Sequence, residues 1–261
     1  KFRNVTGVQT CALPIFDVPA PLQKMDPLTR GDLFHQMQAT ALRRMQADGL
    51  LPLSAERLPA AQAHLTAAIR DVQDREYDRL SPAIDRVWKD EIDGMTQDLR
   101  VWLEKLAEEG AEWTPERFEF AFGLPDMEGR DAHSTPSPAL IDGRFQLRGS
   151  IDMIERHQKT RFLRVTDHKT GKNRTRVGQT VVDGGKVLQP VVYGLALTAL
   201  FPEETVFSGR LFYCTTAGGF TPYEIPLMGD APKRGLEVLE IVDRAIDQGV
   251  LAAKPAHEAC D

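Results

Sequence analysis

The 261-residue sequence has only three cysteines, Cys11, Cys214 and Cys260, too few and too far apart for a disulfide framework or a Cys-x-x-Cys metal site. Nowhere does it hold the roughly 18 consecutive apolar residues that a membrane helix needs, and no basic segment followed by an apolar one opens it. The expected setting is therefore cytoplasmic and reducing, with no membrane contact. There is no internal repeat and no low-complexity tract. With 42% hydrophobic and 27% charged residues, a normally packed core is expected, in one large α/β domain or one domain with an appendage.

Excess positive charge is missing too. The 32 basic and 38 acidic residues give a net charge of -6, which argues weakly against a dedicated nucleic-acid binder. The local distribution differs. Between Lys159 and Arg176 stand seven basic residues, Lys159, Arg161, Arg164, Lys169, Lys172, Arg174 and Arg176, against the single acid Asp167, a local charge of +6. A solvated basic face would explain such a run, and so would a phosphate-binding surface.

Hydrophobic spacing gives the organisation. Leu33, Met37, Ala41 and Met45 predict a helix over about Pro27–Ala47; Leu65, Ile69 and Val72 predict a second; Ile84, Trp88, Met95, Leu99, Trp102 and Leu106 predict a third over about Pro82–Glu109. The period then changes to two at Phe118, Phe120 and Phe122, a strand ending at Gly123. Pro125–Gly143 reads as a loop. Two β-rich runs, Arg144–Arg156 and Arg161–Thr170, lie at hairpin spacing and should pair antiparallel. A helix over Val187–Leu200, strands over Val206–Thr215 and Phe220–Leu227, and an amphipathic helix through Leu236, Leu239, Val242, Ile246 and Val250 complete the chain.

The hairpin concentrates chemistry. Asp167 and Lys169, two residues apart, share a sheet face, and the hairpin brings Asp152 close to Asp167. Two adjacent carboxylates repel unless a cation lies between them, and oxygen ligands of this kind suit Mg²⁺ or Mn²⁺ better than Zn²⁺. Lys169 could then orient or deprotonate a water and stabilise charge on a phosphoryl group. Gly149 and Gly171 bracket the pair and would leave room for a substrate backbone. Other chemistries fit less well. Thr170-Gly171-Lys172 lacks the spacing of a phosphate loop, no Ser or Cys nucleophile has a recognisable partner, and a glycosidase needs neither the lysine nor the basic run.

Gly149-Ser150-Ile151-Asp152 followed by Thr166-Asp167-His168-Lys169-Thr170-Gly171 resembles the PD-(D/E)XK nucleases, in particular the RecB-like branch with its AddB-type nuclease domains. Gly31 and His35 resemble that branch's Gly-His helix motif, and Gln189 and Tyr193 its Gln and Tyr four apart. Glu119 resembles an acidic residue some members carry on the first strand. The resemblance implies an α/β fold, a mixed central sheet flanked by helices with a helical N-terminal subdomain. It further implies metal-dependent hydrolysis of DNA, as the nuclease domain of a helicase-nuclease in repair or recombination. On it, His35, Asp152, Asp167 and the carbonyl of His168 would hold Mg²⁺ or Mn²⁺, Lys169 would act on the water, and Gln189 and Tyr193 would brace the site. Lys172, Arg174 and Arg176 would contact DNA phosphates. A catalytically silent DNA-binding scaffold in a helicase complex is the alternative, against which the intact Asp152, Asp167 and Lys169 argue.

Val5–Ile15 resembles the translation of a sequencing adapter, so residues 1–15 are expected to be an artefact, 16–28 a linker, and 29–261 the nuclease domain, with a helical part over 29–110 and a catalytic core over 113–251. The C-terminus reads as truncated. Many AddB-type relatives carry a four-cysteine 4Fe-4S cluster. Cys260 stands where its C-terminal cysteines would begin, so a cluster is expected in a full-length parent and not in this chain; Cys214 reads as core.

Overall fold

The structure, a computed structural model, describes residues 25–175 and 188–250. Helix α1 (Pro27–Ala47) starts where the Asp26 carboxylate accepts the amides of Leu28 and Thr29 at 3.0 Å, with Pro27 supplying a helical φ and no donor to satisfy. It buries Leu33, Phe34, Met37, Ala41, Leu42 and Met45 against α2 (Leu58–Leu80) and α3 (Asp85–Glu109), whose own buried stripe runs Trp88, Ile92, Met95, Leu99, Trp102, Leu106. Each such side chain contributes about 1.5–3 kcal/mol by leaving water. The chain continues through β1 (Trp113–Phe122), a small hairpin of β2 (Ala139–Ile141) and β3 (Phe145–Leu147), then β4 (Gly149–His157), β5 (Leu163–Lys169), α4 (Gln189–Leu200), β6 (Val206–Tyr213), β7 (Thr221–Pro226) and α5 (Asp230–Asp247).

The main sheet has the order β1-β4-β5-β6-β7, with β5 and β6 parallel and all other pairs antiparallel. One face packs on α1–α3 through Phe118, Met153, Phe212 and Cys214. The other packs on α4, α5 and the small hairpin through Phe120, Ile151, Val165 and Val191. The expected mixed sheet flanked by helices is therefore present. Cys214 is buried, as read.

Three local readings change. The polar stretch over Pro125–Gly143 ends in β2, because Asp142 and Gly143 both take left-handed φ values of 49° and 66° and turn the chain into β3; an Asp-Gly pair is a strong hairpin signal. The run Arg144–Arg156 is consequently two strands, interrupted at Arg148. Third, Phe118, Phe120 and Phe122 do not share a face. Phe118 packs with the helical side and the other two with the opposite side, because Glu119 between them has φ 55°.

Sequence reading also gives no hint of the buried charge network beneath β5. Glu155, fully buried, accepts two bonds from Arg164 (2.8 and 2.9 Å) and one from Arg210 (3.0 Å), and both guanidinium groups reach Glu109 at the end of α3 at 2.6 Å. This network ties the helical subdomain to the sheet. Burial alone would push the Glu155 carboxyl up, but the adjacent Arg164 and Arg210 outweigh it and hold the pKa down at about 2. Arg164 is thus removed from the expected basic face.

Truncating Glu155 removes the one fully buried carboxylate that Arg164 and Arg210 share, so Glu155→Ala is expected to lower the unfolding free energy by about 3–5 kcal/mol in a urea titration. Because the folded pKa lies below the ordinary 4.5, the stabilisation is complete above that pH and fades as pH falls toward 2. Urea titrations across that window should show the decline in the wild type and a flatter profile in Glu155→Gln.

Candidate metal and active site

Hairpin register places Asp152. Met153 pairs with Thr166 and Ile154 with Val165, so Asp152 comes opposite Asp167, as the spacing predicted. There the ladder stops and the side chain takes over: Asp152 Oδ2 accepts the backbone N–H of His168 at 2.7 Å. On the other neighbour, Phe118 pairs with Met153 and Phe120 with Ile151, which leaves Glu119 and Asp152 facing each other. From α1, His35 brings Nδ1 to 3.6 Å from Asp152 Oδ1. One donor atom from each of His35, Glu119 and Asp152 lies within 4.8 Å of the others. Gly31 on the same helix turn comes close enough to β5 that a Cβ would sit 3.4 Å from Thr170 Oγ1.

Asp167 and Lys169 stand beside this cluster. Lys169 Nζ lies 2.7 Å from Asp167 Oδ2 and donates to Gln189 Oε1 at 2.7 Å. Gln189 in turn donates weakly to the Tyr193 hydroxyl, at 3.5 Å. The start of α4 reaches this position because residue 209 is glycine: a Cβ there would fall 2.2 Å from the Pro190 carbonyl oxygen. Gly149 serves differently from the expectation. A Cβ at 149 would meet the Tyr193 ring at 3.2 Å and the Phe122 ring at 3.4 Å, so the room it leaves is filled by the protein itself. Gly171 does open onto free space.

Burial and like charge dominate the electrostatics of the site. Burial pushes the Glu119 carboxyl up to about 7, with the Asp152 charge adding to it, and the same two causes in the same order push Asp167 up to about 6. Burial likewise raises the Tyr193 hydroxyl and drives the His168 imidazole well below its usual range, so its ring is neutral. An imidazole nitrogen beside converging carboxylate oxygens fits a divalent cation such as Mg²⁺ or Mn²⁺, whose charge would remove that repulsion.

Among the expected phosphate contacts, Lys172 and Arg174 are exposed, on a segment pinned from behind by Asn173 Nδ2 to the Tyr223 hydroxyl (2.8 Å) and Thr215 Oγ1 to the Thr170 carbonyl (3.0 Å). Arg176 and Cys260 lie outside the described residues. Ser150, which donates to Glu119 at 3.4 Å, was within reach of sequence reasoning, since it sits two residues before Asp152 on β4.

A mixed sheet flanked by helices carries carboxylates, a histidine and a lysine that meet at the end of its central strands. The chain belongs to the PD-(D/E)XK nuclease superfamily, whose family model matches residues 12–260. Membership implies nuclease activity, and these nucleases generally use divalent metals. Comparison with curated proteins gives no match. Among the described residues no helix is long and apolar enough to cross a membrane.

Because Glu119 and Asp167 are neutral at pH 5 and charged at pH 8, the folded state loses stability as pH rises through about 4 to 7 relative to ordinary carboxyls. A divalent cation relieves that loss only where the groups are ionised. Mn²⁺ should therefore raise the melting temperature markedly more at pH 8 than at pH 5. A shift of the same size at both values would contradict the assignment.

Proposed function

We propose that this chain is a metal-dependent deoxyribonuclease, the RecB-like, AddB-type nuclease domain of a cytoplasmic helicase-nuclease that acts in DNA repair or recombination, most simply as an exonuclease. The observation that carries the reading is Lys169, held at 2.7 Å from both Asp167 and Gln189 beside the His35, Glu119 and Asp152 cluster. A lysine fixed between an acid and an amide at the rim of a cation site is placed to act on water and phosphate.

In this reading His35, Asp152, Asp167, the His168 carbonyl and Glu119 would hold Mg²⁺ or Mn²⁺, which when bound would neutralise charge at the scissile phosphate and lower the pKa of water. Asp152, anchored on the His168 amide, fixes where that charge sits. Lys169 orients the attacking water, shares its proton and stabilises the charge developing on the phosphoryl oxygens. Gln189 keeps the Lys169 ammonium aimed, and Tyr193, packed over Gly149, keeps Gln189 in place. Lys172, Arg174 and Arg176 engage DNA phosphates outside the chemical step.

Lys169→Ala should cut cleavage of a labelled DNA duplex by ~10² or more while leaving DNA affinity within a few-fold. Near-normal cutting by the variant would remove Lys169 from the chemistry. Tight DNA binding by the wild type without cleavage in Mg²⁺ or Mn²⁺ would instead favour a silent scaffold.

A further inference from the structure

Glu119 reaches the cluster only because its backbone is left-handed. At φ 55° it is the one residue inside β1 with positive φ, a conformation that non-glycine residues rarely hold without help. The consequence is visible on both strands. Phe118 and its partner Met153 pack on the helical side, Phe120 and its partner Ile151 on the other, so both strands change faces across the Glu119–Asp152 step.

The help comes from two elements remote in sequence. Asp131, in the loop after β1, accepts the Phe118 N–H on Oδ2 at 3.2 Å, and its own N–H donates to the Glu119 carbonyl at 3.1 Å. Arg43, on α1, donates through Nη2 to the Phe118 carbonyl at 2.9 Å and to the Gly129 carbonyl at 2.7 Å. Both peptide groups flanking Glu119 are thereby held. His133, through its N–H at 2.8 Å and Nδ1 at 3.1 Å, fixes the second oxygen of Asp131. Ser134 Oγ accepts the Ala121 N–H at 2.9 Å and extends the clamp along the strand.

We propose that Arg43 and Asp131 are positioning residues that lock the left-handed backbone at Glu119 and so set its carboxylate in the cation site. The proposal rests on the reading of Glu119 as a cation ligand. It differs in sign from simple charge balance. Arg43 is a half-buried cation facing the Glu119 and Asp131 charges, so deleting it on electrostatic grounds alone would strengthen binding of a divalent cation. Deleting a lock weakens it.

Calorimetric titration of the purified 261-residue chain with Mn²⁺ reads this directly. Arg43→Met is expected to weaken Mn²⁺ binding roughly tenfold or more, the usual scale for a group that orients a ligand. In a Glu119→Ala background the same change should cost less than about twofold, because there is no ligand left to aim. Equal or tighter binding by Arg43→Met, or equal weakening in both backgrounds, would overturn the proposal. Should Arg43→Met unfold, the Asp131 pair decides: Asp131→Asn keeps an acceptor for the Phe118 N–H and should retain most of the affinity that Asp131→Ala loses. Equal affinity of those two variants would also overturn it. If Glu119→Ala binds Mn²⁺ like the wild type while Asp152→Ala does not, Glu119 is no ligand, and the proposal falls with the nuclease reading intact. A wild type that binds no Mn²⁺ at all overturns both.

Discussion

Three acidic side chains, Glu119, Asp152 and Asp167, are forced into a partly dry corner where they repel one another, and much of the surrounding structure is arranged to hold them there. Burial first, and the Asp152 charge second, raise the pKa values of Glu119 and Asp167. Countercharge from Arg43 and Lys169 offsets part of the repulsion, and backbone contacts hold the carboxylates in place. The His168 amide holds Asp152, the parallel pairing with β6 fixes Asp167 on a central strand, and a left-handed residue turns Glu119 inward. Lys169 is ion-paired to Asp167 within the group, and Gln189 shares it. A divalent cation is the natural completion of that balance.

The fold separates this unstable corner from a stable base. Toward the other end of β5, Glu155, Arg164, Arg210 and Thr166 form a buried network whose guanidinium groups also reach Glu109 on α3. Losing a charged partner would unbalance buried charge, so the network resists displacement of the helical subdomain from the sheet. His35 depends on that docking. It lies on α1, and its approach to Asp152 holds only while α1 stays seated on the sheet.

Much of this was legible in the sequence for identifiable reasons. Asp152, Asp167 and Lys169 could be placed because hairpin spacing and two-residue periodicity are local properties, and the observed register matches them. Gln189 and Tyr193 were singled out by the family resemblance, and their four-residue spacing puts them on one helix face. The departures all involve contacts between remote segments. Nothing near Glu119 announces a left-handed backbone, since the bonds that enforce it come from Arg43 and Asp131. Arg164 looks like part of a solvated basic run until Glu109, Glu155 and Arg210 are seen around it. Gly149 looks like space for a substrate until Tyr193 is seen to occupy it. The small hairpin was the exception, since Asp142-Gly143 carried a local signal inside a stretch whose polarity read as loop.

The proposed cation site lies where Glu119 of β1 and Asp152 of β4 face each other. Crystals soaked in Mn²⁺ and measured for anomalous scattering test it most directly. The account predicts a peak within coordinating distance of Asp152, Glu119 and His35. Mn²⁺ found elsewhere on the protein, with no peak in that corner, would contradict it.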